Sequence, residues 1–285
     1  MVPAHGQLFD NLRDLVRRFP VGPLAHSFDG PKGIASADLD GDGNADLAVS
    51  NTDGSVTVFF GLGNGRFRAP VHLSTGGTNS LRGIVCADFD GDGRPDIAIA
   101  APFQGKIFLF YNQGGGRFGP VTNLAAWVGV RNLAAGDFDG DGLVDLIAAG
   151  PENGLRQYRT LGGGSFQEIT NLTSLNFAFR EQSKFPKPVY SLLASRIPGL
   201  NKDQLVVTHA ETNRVWRLAA NTNGALVIQD SVTNRFSSHA LGVAPMFTPT
   251  NTGLSDLISV HRDAGMLSFH PGVAAGAGFS QRSSR

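Results

Sequence analysis

The chain contains one cysteine, Cys86, among 285 residues. That excludes an internal disulfide framework and any thiolate zinc cluster, and it leaves the redox compartment open. Long apolar runs are missing too: no stretch approaches the roughly 18 residues that cross a bilayer as a helix. Residues 1–20 lack the uninterrupted apolar segment, closed by small residues, of a standard signal peptide. There is no nucleophile elbow, phosphate loop, zinc helix motif or haem site. The seven histidines fall at positions 5, 26, 72, 209, 239, 261 and 270 without close pairing. Turn-forming residues are abundant, with 37 Gly and 15 Pro, and this favours many short strands over long helices.

A repeat organises those strands. Asp38-Leu-Asp-Gly-Asp-Gly-Asn-Ala-Asp46 recurs as Asp88-Phe-Asp-Gly-Asp-Gly-Arg-Pro-Asp96 and Asp137-Phe-Asp-Gly-Asp-Gly-Leu-Val-Asp145, at spacings of 50 and 49 residues. Each copy follows a small-residue strand (Gly33–Ala37, Gly83–Ala87, Asn132–Gly136) and precedes an apolar one (Leu47–Ser50, Ile97–Ala100, Leu146–Ala149). A polar turn leads to a third strand (Val56–Phe60, Ile107–Tyr111, Leu155–Tyr158), and a Gly-rich turn ending in Phe67, Phe118 or Phe166 opens a fourth. Two worn copies, Arg196 to Leu205 and Thr248 to Leu257, keep the apolar frame without the acids, and no metal is expected at either.

Five units of about four strands each predict an all-β chain folded as a β-propeller. The propeller is expected over residues 18–285, with repeats at about 18–66, 67–117, 118–165, 166–224 and 225–279. Residues 18–24 resemble the start of a fourth strand and are expected to close the ring; the alternative is a fragment of a larger ring, since propellers have about 4 to 8 blades. Residues 1–17 form a helical extension, with Leu8, Phe9, Leu12, Leu15 and Val16 at helical spacing. A helix capping the ring is preferred over membrane binding, because only Arg13, Arg17 and Arg18 line its polar side.

The formal charge is zero, yet 12 of the 24 acidic residues sit in the three repeated segments. Asp at positions 1, 3, 5 and 9 offers hard carboxylate oxygens, and position 7 adds a backbone carbonyl. Calcium takes about 6 to 8 such oxygens. Solvated turns are the plain alternative, but four carboxylates within nine residues repel unless something neutralises them. Magnesium fits poorly with so many carboxylates, and zinc with loops that hold no Cys or His. Three divalent ions would turn the formal zero into +6, which makes anionic partners reasonable.

These segments resemble the FG-GAP/VCBS repeat family, specifically in three repeats and weakly in two. The resemblance implies a propeller with three structural calcium sites. Their ligands would be Asp38, Asp40, Asp42, Asn44 and Asp46; Asp88, Asp90, Asp92, Arg94 and Asp96; and Asp137, Asp139, Asp141, Leu143 and Asp145, with Asn44, Arg94 and Leu143 acting through their carbonyls. It also implies adhesion or glycan recognition, without fixing a ligand.

Six positions before each first Asp stand Lys32, Arg82 and Arg131, and the same offset in the fourth unit gives Tyr190. His239 is the nearest polar residue in the fifth. These residues are expected around one mouth of the channel, opposite the calcium loops, where guanidinium forks suit a carboxylate or sulfate. The plain alternative is that they pair with neighbouring acids or reach solvent. Trp127 could stack on a sugar ring, with simple packing as the alternative. The expected function is a non-catalytic module binding protein or anionic glycan, with no role in nucleic-acid binding. The runner-up is a lyase on acidic polysaccharide, in which Lys32, Arg82 or Arg131 neutralises the uronate and His239 or Tyr190 takes the proton. A third option is a purely structural fragment. Calcium loops that fill at millimolar calcium lean toward an extracellular or periplasmic site.

Overall fold

The structure is a computed structural model that describes residues 30–77, 80–150, 154–169, 189–196, 201–209, 214–233, 240–244, 256–261 and 266–270. These residues form strands, turns and loops, with no helix among them. The expected N-terminal helix and ring-closing strand, and the worn segment of the fifth unit up to residue 255, lie outside the described residues.

The first sheet is formed by β1 (Gly33–Ala37), β2 (Asp46–Ser50), β3 (Ser55–Phe59) and β4 (Val71–Ser74). The second orders β5 (Ile84–Ala87), β6 (Asp96–Ala101), β7 (Lys106–Phe110) and β10 (Thr122–Ala125), and a small hairpin of β8 (Asn112–Gly114) and β9 (Arg117–Phe118) interrupts it. The third contains β11 (Asn132–Gly136), β12 (Asp145–Gly150), β13 (Gly154–Thr160) and β14 (Phe166–Ile169). The fourth contains β15 (Val189–Arg196), β16 (Asp203–His209), β17 (Arg214–Ala220) and β18 (Leu226–Thr233). A fifth has three strands among the described residues: β19 (Ala240–Ala244), β20 (Asp256–His261) and β21 (Met266–His270). The first strands of successive sheets lie side by side in chain order, a propeller-like arrangement.

Alternation along each second strand explains the stacking. In β6, Ile97, Ile99 and Ala101 face the first sheet, where they meet Ala48, Val56, Val58 and Phe60. Ala98 and Ala100 face the third sheet and leave room for Leu146 and Tyr158. Both faces are therefore buried, so the strand reads as a continuous apolar run. The pattern repeats in β12, whose Ile147 and Ala149 meet Leu205, Val207 and Trp216 of the fourth sheet. Each large side chain buried this way contributes roughly 1.5–3 kcal/mol.

The fourth strands depart from expectation in two units. Phe67 and Phe118 do not open them. Phe67 makes only an isolated bridge to Gly61, and Phe118 belongs to the β8–β9 hairpin. Pro70 and Pro120 follow within three residues, and a proline has no N–H to give the ladder, so β4 and β10 begin only beyond them. No proline follows Phe166, and β14 begins there as expected.

The first strands approach so closely that a side chain would not fit between them. Gly83 N–H donates to the Arg131 carbonyl at 2.7 Å, and a Cβ at Gly83 would stand 2.5 Å from that oxygen and 3.0 Å from Asn132 Cα. Because both neighbours are backbone, neither can swing aside. Gly83→Ala is expected to destabilise by about 1–3 kcal/mol, whereas Gly30→Ala, with nothing within 4 Å of the added carbon, leaves the melting temperature unchanged. Parallel thermal melts check the pair.

Candidate functional site

Each acidic loop leaves the end of a first strand and turns into the second. Gly41 and Gly43 have φ of 81° and 84°, backbone that a side chain resists. The loop thereby curls around its first aspartate: Gly41 and Asp42 donate their N–H groups to Asp38 Oδ1 at 2.8 and 3.1 Å, and Gly43 to Oδ2 at 2.8 Å. Asp88 accepts the same three bonds from Gly91, Asp92 and Gly93, and Asp137 accepts from Gly140 and Gly142. Position 7 holds Asn44, Arg94 and Leu143, whose N–H groups donate to Asp42, Asp92 and Asp141 at 2.8, 2.9 and 2.9 Å.

The curl gathers carboxylates. One oxygen each from Asp38, Asp40 and Asp42 lies within 4.8 Å of the others, as it does for Asp88, Asp90 and Asp96, and for Asp137, Asp139 and Asp141. Calcium–oxygen distances are about 2.3 to 2.6 Å, so an ion placed between such oxygens can touch all three.

The ninth aspartate has a second task. Asp46, Asp96 and Asp145 are fully buried. Asp46 Oδ2 accepts from Leu39 N–H at 2.7 Å and Oδ1 from Gly61 N–H at 2.6 Å. Asp96 likewise joins Phe89 to Asn112, and Asp145 Oδ1 accepts from Thr160 N–H at 2.9 Å. Each carboxylate therefore pins its loop to the far end of the third strand. Burial pushes Asp96 up to about 6 and Asp145 up to about 7, against the backbone hydrogen bonds that favour their charged forms.

Arginines that the sequence reading missed stand over the loops. Arg68 pairs with Asp40 and approaches Asp42 at 3.7 Å, and Arg159 Nε lies 2.6 Å from Asp139. They come from beyond the third strand or from within β13, at no common offset, so only the fold reveals them. Arg94, inside its own loop, pairs with Asp92. One guanidinium does not balance four carboxylates. Asp145 Oδ2 is buried without a hydrogen bond and keeps lone pairs to offer. A donor set of hard oxygens with an unbalanced negative charge fits a hard divalent cation.

The loops also mark the seams between sheets. Asn112 Nδ2 donates to the Leu39 carbonyl at 2.8 Å, and Gly163 N–H to the Asp90 carbonyl at 2.9 Å. At the next seam the worn fourth loop is docked on the third: Asp137 N–H donates to Asp203 Oδ2 at 2.8 Å, and Asp203 N–H to the Asp137 carbonyl at 2.7 Å. Asp203 has thus become a clamp, held in turn by Arg196 at 3.0 Å.

At the other ends of the first strands stand Lys32, Arg82 and Arg131. Their N–H groups donate to Ser50, Ala100 and Ala149 at 2.9, 3.0 and 2.8 Å, which sets all three on one rim. A Cβ at Gly33 would lie 2.7 Å from the Arg82 carbonyl, so successive sheets bring the three residues together. Arg82 and Arg131 form no ion pair with any described residue. Tyr190 falls at the register shift between Val189 and Ser191, and its side chain, like all of His239, lies outside the described residues. Trp127 corrects the sugar-stacking expectation: it is buried, and the Arg156 guanidinium lies 4.8 Å from its ring centroid. Burial, and the nearby Asp96 and Asp46, push the Cys86 thiol up to about 12, so it is no nucleophile at neutral pH.

The family described as FG-GAP-like repeat matches residues 38–99 and 88–148. Those residues carry FG-GAP-like repeats. No curated protein matches the chain in sequence. Among solved structures, the chain is similar to the BP39L lectin from Burkholderia pseudomallei, with 16% identity, TM-score 0.66, and coverage of 91% of this chain and 72% of that one. It is similar to a Lactobacillus plantarum protein, with 13% identity, TM-score 0.64 and coverage of 89% and 70%. A third likeness is to an Agrocybe aegerita lectin described as recognising non-reducing terminal N-acetylglucosamine, with 19% identity and TM-score 0.53. The chain covers 79% of itself there but spans only 59% of that lectin's length. At these identities the likeness concerns the fold.

Two measurements address the loops. Calcium at about 100 times its dissociation constant stabilises by about 2.7 kcal/mol per site; wild type is expected to melt higher in calcium than in chelator, and Asp88→Asn to lose part of that rise. In chelator, Asp96 and Asp145 hold their protons more tightly folded than unfolded. Their stabilising contribution is complete below the ordinary value of 3.8 and is lost as pH rises through about 6 and about 7. Melting temperature should therefore fall across that window in chelator, and fall less in Asp145→Asn.

Proposed function

We propose that this is a non-catalytic β-propeller module, stiffened by calcium in its three acidic loops, that binds an anionic group of a protein or glycan at the mouth opposite those loops. The observation that carries this is the pair Arg82 and Arg131, joined through the Gly83 to Arg131 backbone bond and without an ion-pair partner among the described residues. Two guanidinium forks on adjoining rigid strands suit a carboxylate or sulfate. Placement on a scaffold of packed sheets, with no catalytic constellation needed, is how binding sites are commonly carried. The two lectins among the structural neighbours agree with a recognition role. An extracellular or periplasmic setting, where calcium is plentiful, belongs to the same proposal.

The test is titration of the calcium-loaded chain with oligogalacturonate and with heparin-derived oligosaccharide, for wild type and for Arg82→Gln with Arg131→Gln. Charge-assisted hydrogen bonds contribute about 1.5–3 kcal/mol each, so the double variant is expected to bind at least about tenfold more weakly while melting at the same temperature. Cleavage of the bound uronate would replace this proposal with the lyase.

A further inference from the structure

At the seam between the third and fourth sheets, on the side of the acidic loops, lies a pocket of about 210 Å3. Three segments wall it: Asp139 of the third loop together with Arg159 of β13, Lys202 just before β16, and the turn Asn221 to Gly224 that joins β17 to β18. These walls are fixed to one another. Gln157, fully buried in β13, donates from Nε2 to the Gly224 carbonyl at 2.8 Å and accepts at Oε1 from Leu226 N–H at 3.2 Å, so the turn is tied to the third sheet on both sides of Ala225. Asp203, next to Lys202, is clamped to Asp137 by two hydrogen bonds. Lys202 itself lies across Gly140, where an added Cβ would stand 2.9 Å from its Cγ and 3.2 Å from its Cε. Its stem therefore follows the third loop and carries the ammonium to the seam.

What the walls offer decides the occupant. Arg159 Nε lies 2.6 Å from Asp139 Oδ2 and its Nη2 lies 3.0 Å from Asp141 Oδ2, so those charges are matched locally. Lys202 forms no ion pair with any described residue, and it leaves the pocket one uncommitted positive charge. Neutral polar groups surround it. Asn221 Oδ1 accepts from Asn223 and Ala225 N–H at 2.9 and 3.2 Å, which holds the carboxamide still and leaves its Nδ2 donors open. The Thr222 hydroxyl and the Asn223 carboxamide form no hydrogen bond with any described residue. Hydroxyls and carboxamides both donate and accept, which suits hydroxyl groups of a ligand; an ammonium only donates, which suits a carboxylate. The pocket is smaller than the clefts of about 300–1,000 Å3 that hold drug-sized ligands, so one ring fits better than a chain. We infer that the seam pocket binds a single sugar-acid residue, with its carboxylate on Lys202 and its hydroxyls on Asn221, Thr222 and Asn223. A phosphate fits less well, because its second negative charge would stand beside Asp139 and Asp141 with one free cation to face. The pocket lies at the opposite end of the strands from Arg82 and Arg131, and binding here is independent of the mouth proposed above. Walls held in place before the ligand arrives lower the entropy lost on association.

The experiment uses the calcium-loaded full chain, with glucuronate, glucose and acetate as probes and the backbone amide NMR signals of Asn221 to Gly224 as the readout. Glucuronate is expected to move those signals and to bind about tenfold more tightly than glucose, which lacks the carboxylate, or acetate, which lacks the hydroxyls. Lys202→Gln should erase the advantage over glucose, and Thr222→Ala with Asn223→Ala should erase the advantage over acetate. Thr222 and Asn223 are exposed, so their double variant should keep the wild-type melt and decides the matter even where Lys202→Gln, whose stem packs on Gly140, melts lower. Arg82→Gln with Arg131→Gln should leave the glucuronate shifts unchanged. Glucose or acetate binding as tightly as glucuronate overturns the seam site, as does glucuronate binding that ignores both pocket variants. Glucuronate that moves the Arg82 and Arg131 signals in place of those at Asn221 to Gly224 also overturns it, and leaves the mouth as the anion site.

Discussion

The buried ninth aspartate of each acidic loop is the contact on which the first three sheets depend. It is out of water and costly to ionise, yet it answers backbone N–H groups at the start of the loop and at the end of the third strand. Remove those oxygens and Leu39, Gly61, Phe89 and Asn112 would each lose the acceptor for a backbone N–H, at roughly 1–3 kcal/mol for each one left buried. The same residue is therefore part of the scaffold, and of the three only Asp96 also joins a carboxylate cluster. A cation nearby would lower the cost of keeping it charged, and so a metal and the fold would support each other.

The seams follow from that contact. Once the loop is pinned, its carbonyls are presented to the next sheet, where Asn112 reaches Leu39 and Gly163 reaches Asp90. The fourth unit has kept the seam and dispensed with the four-carboxylate set. Asp203 there accepts from the third loop's backbone, a use of the position that needs no metal.

The strands around each loop were legible because they obey a period and a fixed offset: β1 and β11 fall on the residues expected, and β6 and β12 extend the expected runs by a residue at each end. The loop acids were legible for the same reason. What the sequence hid lies in contacts that follow no fixed spacing along the chain. Arg68 and Arg159 reach the loops from places with no shared spacing, and Trp127 looked like a platform because nothing in its neighbourhood announces Arg156. The fourth strands were misplaced because the phenylalanine that ends the glycine turn was given more weight than the proline that follows it. Absence of an N–H is a hard constraint and a preference for aromatic residues is a soft one, so Pro70 and Pro120 decide.

A division of labour along each first strand results. One end holds clustered carboxylates; the other sets Lys32, Arg82 and Arg131 on one rim. The strand between them is short and close to its neighbours, and Gly33 and Gly83 let adjacent backbones meet without side chains. Rigidity at the loop end is therefore transmitted to the mouth through backbone contact rather than through adaptable packing. A binding rim assembled from successive sheets can keep its guanidinium groups in register only if the sheets keep theirs. Under the proposed function, calcium at the far end would matter to recognition without touching a ligand, by fixing the spacing of Lys32, Arg82 and Arg131 before any partner arrives.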